Sequence, residues 1–361
     1  MHTFTIPGRR PYTIRYPETI PTPRLIVFED RVKKNIETMK GILADAFPGT
    51  GFKHLCPHLK TNKSSRIVNL LRKKGVTDVK VSLNEAELAA KCGCESVFVA
   101  YPLMKQDAEF ISILMKRFPR IQFFVQAGCP EHVDILQQAA KEAKITFSVF
   151  IDIDVGMHRT GEAPENAVEL CGRIFSSPNL NFAGLHGYDG HNHHTDPDRR
   201  REVSRSSMDA LFSVYDRLKD KAVRIHRIVV AGSPAFQTDL EYQRVRELDD
   251  TLFQVSPGTW VFWDIKYDRF IPGMFELAAF VLCQVIDRAG DDWVTINAGH
   301  KRWGADQGPV TVFSKPGLRV RLFSEEDTVL SGPPEKNVAG GDYLVIVPEH
   351  ACRTVNVYEY A

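Results

Sequence analysis

The chain has no long apolar run: 43% of its 361 residues are hydrophobic, yet they never gather into a stretch of membrane-spanning length. The N-terminus, Met1 to Arg10, also lacks the apolar centre of a signal peptide, so a cytoplasmic protein with no membrane partner is expected. Charge of one sign is missing as well. Lys and Arg number 46 against 45 Asp and Glu, a net +1 that offers no basic field for nucleic acid and leaves a small molecule as the expected partner. Cysteine is sparse: seven residues, odd in number and scattered, do not build a disulfide framework. Cys92 and Cys94, with no second pair at zinc-ribbon spacing, read as packing. Neither a Walker loop nor a dinucleotide fingerprint occurs, which argues against a nucleotide ligand. Internal repeats and low-complexity tracts are absent too.

What is present is an alternation. Short runs rich in Val, Ile and Phe begin near Phe52, Val79, Ser96, Ile121, Thr146, Asn181, Ile225 and Leu252, with helical segments between them. The helices are read from apolar residues three or four apart, as in Glu85 to Ala90, Phe110 to Met115 and Val133 to Ala140, with Ser82 and Asn84 as caps for the first. Eight such units predict a TIM-type (β/α)8 barrel, an α/β fold, over residues 25–270. The polar stretch His191 to Glu202 reads as a long loop after a strand. Beyond about Ile271 helical periodicity nearly vanishes. Ala278 to Ile286, Trp293 to Ile296, Val310 to Phe313, Leu318 to Leu322 and Tyr343 to Val347 read as strands of a C-terminal antiparallel β domain. Residues 1–24 do not fit the barrel count and are assigned, with 271–361, to that domain.

Several positions carry chemistry. Lys60, in Cys56-Pro57-His58-Leu59-Lys60-Thr61-Asn62-Lys63, stands at the carboxyl end of the first barrel strand, the end where such barrels do their work. A lysine there can form an imine with an aldehyde cofactor; the plain alternative is a surface lysine flanking a helix. Two loops could cradle a phosphate, Gly232-Ser233 and Gly258-Thr259, because glycine lets backbone N–H groups approach an anion and the hydroxyl adds a donor. Either is otherwise an ordinary turn. Arg159, between two glycines after a strand, offers a guanidinium fork to an anionic oxygen, or caps toward solvent. Tyr188 and His191 end another strand and should point into the barrel mouth, where the tyrosine presents a ring face or merely closes the top. His350 and Cys352, two apart after the apolar Leu344 to Val347, share a face if they lie on a strand, and imidazole with thiolate suits Zn²⁺.

In this combination and order the motifs resemble the fold type III pyridoxal-phosphate enzymes of the D-threonine aldolase and D-serine dehydratase group, whose barrel and β domain are related to alanine racemase. The resemblance runs from Thr22-Pro23-Arg24 to the end of the chain. It implies an imine-forming Lys60, Arg159 beside the phenolic oxygen of pyridoxal 5'-phosphate, Tyr188 near its ring, phosphate loops at Gly232, Ser233, Gly258 and Thr259, and a metal held by His350 and Cys352. His350 thereby joins Lys60 as a catalytic candidate. Aldolases of the group typically read His-x-Asp, suited to Mn²⁺ or Mg²⁺, whereas the dehydratases read His-x-Cys and use zinc, so Cys352 leans toward a dehydratase. The resemblance also implies a homodimer. Cys56, Asn62 and Asn297 depart from the family pattern of Arg, His and Asp.

Overall fold

The computed structural model describes residues 1–288, 293–306, 308–315, 317–332 and 338–359. The chain divides into two compact units, residues 39–258 and residues 1–38 with 259–361. The helix Glu29–Ala46 runs from one into the other.

In the central unit, Asp78–Val81, Ser96–Val99, Gln122–Ala127, Phe147–Ile153, Leu180–Gly187, Arg227–Val230 and Leu252–Val255 form a parallel sheet in sequence order. The expected first strand, near Phe52, is not a regular one. Gly49 and Gly51 take positive φ, and Pro57 has no N–H to give a ladder. What remains are single parallel bridges, Leu55 to Val255 and His58 to Lys80, with the Cys56 amide donating to Val255 O at 2.9 Å and the Lys80 amide to Pro57 O at 3.0 Å. Segment 55–58 thus joins the last strand of the sheet to the first and completes a barrel.

Side chains alternate along a strand, so every second residue points inward. Cys56, Phe98, Phe124, Phe150, Ala183 and Val229 pack together as an apolar layer inside the barrel. Two residues further toward the carboxyl ends, Gln126 and Asp152 follow Phe124 and Phe150, and the buried positions turn polar. The crossover helices include Leu83–Lys91, Lys105–Arg117, Pro130–Ala143 and Pro197–Asp220. Ser82 caps the first, its amide donating to Glu85 Oε2 at 2.9 Å, while Asn84 lies inside the helix. The expected loop His191 to Glu202 stops early. Asp196 accepts from the Arg199 amide and Pro197 occupies the first turn, so 197–202 is already helix.

The other unit is an antiparallel sheet ordered Thr311–Val312, Tyr343–Val347, Ala279–Asp287, Trp293–Ile296, Thr328–Ser331, Arg319–Phe323. Thr328–Ser331 is a strand that reading the sequence missed, because it is short and runs into Gly332. Arg24–Val27 pairs antiparallel with Leu282–Ala279 and so belongs to this sheet, while His2–Phe4 and Tyr12–Ile14 pair with each other. Val281, Cys283 and Val285 enter one core with Trp303, Leu330 and Ile346. Phe280, on the opposite face, meets Phe4, Tyr12 and Phe28 at ring distances of 5.4, 5.0 and 5.3 Å. A strand buried on both faces reads as a continuous apolar run, which is what Ala279 to Cys283 is. Among the described residues no helix is long and apolar enough to cross a membrane.

Candidate active site

Lys60 sits on a one-turn 3-10 helix, Leu59–Thr61, immediately after the bridging segment. His58 begins the turn, its Nδ1 accepting from the Lys60 amide at 3.3 Å. Gly258 packs on the same turn so closely that a Cβ there would stand 2.8 Å from Thr61 Oγ1 and 2.9 Å from His58 O. Only a glycine lets the last barrel loop lie against the lysine turn.

A pocket of about 350 Å³ opens beside this turn, lined by His58, Lys60, Lys80, Arg159, His186 and Tyr188 among others. Its lining includes five basic side chains and no carboxylate. Three cations surround the Tyr188 ring, with Lys60 Nζ 5.9 Å, Lys80 Nζ 5.4 Å and Arg159 Cζ 4.9 Å from its centroid. Gly190 is dictated by that ring, since a Cβ would fall 2.1 Å from Tyr188 Cε1. The pocket therefore suits an anion with a flat ring. Pyridoxal 5'-phosphate, with its aldehyde, phenolate and phosphate, has that character, and Lys60 is the residue that would supply the amine it needs.

Beneath the pocket lies a hydrogen-bonded chain that reading the sequence did not find. Lys80 Nζ is 2.8 Å from His186 Nε2 and 3.0 Å from Ser256 Oγ; His186 Nδ1 is 2.7 Å from Asp152 Oδ1. Gln126 Nε2 and Thr160 Oγ1 donate to Asp152 Oδ2 at 3.0 and 2.9 Å. These partners fix the tautomer: Nδ1–H donates to the carboxylate and Nε2 accepts from the amine. Burial is the main reason the Lys80 pKa falls to about 7, with the Lys60 and Arg159 charges adding to it. Burial and the neighbouring Lys80 bring His186 down to about 4, against the pull of Asp152. His186 is thus a neutral connector at ordinary pH.

Of the residues expected from the sequence, Lys60, Arg159 and Tyr188 line one pocket, whereas Gly232 and Gly258 flank it. Gly232 lies against Tyr188 and gives its amide to Asp189 Oδ1 at 2.7 Å; the Gly258 amide goes to Ser233 Oγ at 3.2 Å. The two loops expected to hold phosphate are therefore bonded to each other. His191 does not line the pocket; its ring covers Gly156. Cys56 belongs to the apolar layer, and buried Asn62 ends the lysine turn, accepting from the Ser64 amide at 3.3 Å. Asn297 belongs to the antiparallel unit, where it bonds the Gln284 amide and Thr22 at 2.8 and 2.9 Å.

The antiparallel unit holds the remaining candidates. His350 and Cys352 are not on a strand. After Val347 the chain turns, His350 caps the short helix Ala351–Val355, and Cys352 lies in its first turn. The two nevertheless hydrogen-bond to each other, and Asp306 Oδ2 is 2.7 Å from His350 Nδ1. Burial opposes charge on the imidazole, but Cys352 and Asp306 outweigh it and raise the His350 pKa to about 9. Buried Asp264 accepts from the Ala351 amide at 2.9 Å and the Tyr267 amide at 3.0 Å; burial raises its own pKa to about 7. Thr259, expected at the phosphate, has Oγ1 3.6 Å from Cys352 Sγ within this unit. Among the described residues no set of three His, Cys, Asp or Glu side chains is poised on one cation. Imidazole plus thiolate fits a zinc ion with further positions left open.

These features fit the alanine racemase-like fold, whose family implies a pyridoxal-phosphate cofactor, and comparison with known proteins agrees on the fold. Residues 28–262 match the family model "Alanine racemase, N-terminal domain" and residues 278–361 match "Putative serine dehydratase domain"; the chain belongs to this family. It is 26% identical to a D-threonine aldolase of an Arthrobacter species over 84% of this chain and 80% of that protein. A D-threo-3-hydroxyaspartate dehydratase of Delftia sp. (strain HT23) is 24% identical over 93% and 92%. The crystal structure of D-threonine aldolase from Filomicrobium marinum superposes with a TM-score of 0.85 at 26% identity, covering 94% of this chain and 90% of that one. The relatives are named as aldolases and dehydratases, and this chain is a lyase of their type.

Proposed function

We propose that this chain is a pyridoxal-phosphate- and metal-dependent lyase of D-β-hydroxy amino acids, working as a dehydratase in the manner of D-serine dehydratase. The observation that carries the reading is the His350–Cys352 contact, an imidazole beside a sulfur that occupies the position where aldolases of the group typically read Asp. Pyridoxal phosphate supplies an aldehyde that takes up an amine and a ring that spreads the electron pair left at Cα. A zinc ion supplies Lewis acidity toward the β-hydroxyl.

The side chains supply the rest. Lys60 Nζ would hold the cofactor aldehyde, and its amine is the group placed to take the substrate's α-proton. Arg159 keeps the pocket positive, which favours anionic ring substituents, and Lys80 donates from beneath. Tyr188 gives the ring a flat surface and Gly190 leaves room for it. His350 and Cys352 hold the metal. Loss of the β-hydroxyl then yields an oxo acid and ammonia after hydrolysis.

A second reading, retro-aldol cleavage to glycine and an aldehyde, draws support from the aldolase names among the relatives. Holoenzyme incubated with D-serine and D-threonine, with and without chelator, separates the two. Chelator-sensitive oxo acid and ammonia support the dehydratase; glycine with an aldehyde supports the aldolase. Neither product from either substrate overturns the lyase reading.

A further inference from the structure

Building on the reading of His350 and Cys352 as a metal pair, we propose that the pair has an outer shell of two positioning residues, Asp306 on the imidazole and Thr259 on the sulfur. Both contacts are within the antiparallel unit: Asp306 Oδ2 to His350 Nδ1 at 2.7 Å and Thr259 Oγ1 to Cys352 Sγ at 3.6 Å. Thr259 is only 3% exposed.

The Asp306 contact is built into the fold rather than being a loose surface ion pair. The Gly304 amide donates to Thr354 Oγ1 at 2.9 Å, and that hydroxyl donates to His350 O at 3.1 Å, tying the segment that bears Asp306 to the helix that His350 caps. Gly304 packs so closely there that a Cβ would meet Arg353 Cβ at 2.5 Å. Asp264, fully buried, holds the Ala351 amide from the other side.

The chemistry of each contact follows from its atoms. Asp306 can only accept at Nδ1, so Nδ1 carries the proton and Nε2 presents the lone pair that binds a cation. A carboxylate in this position also fixes the ring and raises its basicity. A metal-bound sulfur can only accept, so the Thr259 hydroxyl is placed to donate to it and to hold it in position for a cation. The sequence pattern would give Thr259 to the phosphate; this geometry gives it to Cys352.

Zinc affinity, measured by competition with a chromogenic chelator, and cofactor affinity, measured by absorbance titration of apoprotein, test the assignment together. Asp306→Asn should weaken zinc about 10- to 100-fold while leaving cofactor affinity within about twofold. Thr259→Val should weaken zinc several-fold, and Thr259→Ser, which keeps the hydroxyl, should restore it. Wild-type zinc affinity in both Asp306→Asn and Thr259→Val overturns the outer shell. Loss of cofactor rather than zinc affinity in Thr259→Val overturns its assignment to the thiol. A different result sinks the underlying metal reading: His350→Ala and Cys352→Ala binding zinc as the wild type does. Should Asp306→Asn not fold, the Val and Ser variants of Thr259 decide alone.

Discussion

Two histidines, one in each unit, are pushed in opposite directions. His186, inside the barrel, is brought down to about 4; His350, at the head of its helix, is raised to about 9. Burial disfavours charge on both, so burial cannot explain the difference. The neighbours do. His186 accepts from the Lys80 amine and shares its surroundings with Arg159, whereas His350 lies between a sulfur and the Asp306 carboxylate. The field around His186 is that of a site awaiting an anion, and the field around His350 is that of a site awaiting a cation. One histidine connects and stays neutral; the other is occupied by a proton where a metal would displace it.

If this contrast reflects function, the two regions should fail differently. Lys60→Ala removes the amine that holds the aldehyde and moves the proton, so the yellow colour of the protein should go and kcat/KM should fall about 10³-fold or more. Borohydride reduction of the wild type should fix the cofactor on Lys60, and an adduct mapped to any other residue breaks the assignment. His350→Ala should behave otherwise. The colour stays, bound zinc is lost, and kcat/KM drops about 10²-fold or more through lost Lewis acidity. Full activity in the metal-free variant would erase the distinction between the regions.

The sequence made some of this legible and hid the rest for physical reasons. Lys60, Arg159 and Tyr188 stand within three residues of Pro or Gly after strand-like runs, where punctuation marks the position. The chain Lys80–His186–Asp152 has no such mark. Val79-Lys80-Val81 reads as a half-exposed strand with the lysine in water, but in a parallel barrel both faces are covered. A charged residue between two buried valines therefore points into the barrel, and Ile151-Asp152-Ile153 carries the same signal. His350 and Cys352 were found by residue type, for a reason that did not hold. They meet across the start of a helix, because the Val347 strand ends before them. The first barrel strand was overread: its apolar residues are buried, but Pro57 and two positive-φ glycines reduce its ladder to single bridges.

The smallest expected effect concerns the anion side alone. Lys80 has a pKa of about 7 in the folded chain, against about 10.4 when unfolded. Between those values the unfolded state carries a proton that the folded state has shed, so the apoprotein gains stability as pH rises from 7 toward 10. The slope from this group is at most about 1.4 kcal/mol per pH unit; below pH 7 both states are protonated and the cost of burying the charge is present in full. Lys80→Met keeps an unbranched chain without the charge. It should be more stable than the wild type near pH 7, with the gap closing toward pH 10 as the wild-type amine, neutral in the folded state, gains from the proton still held by the unfolded chain. Lys60, Arg159, His186, Asp152 and Cys56 all face Lys80, so the comparison of wild type with variant, rather than either curve alone, isolates the amine. Chemical denaturation of apoprotein across that range measures it. Parallel curves would mean that Lys80 keeps its proton inside the barrel and that its amine is not the neutral donor to His186 described above.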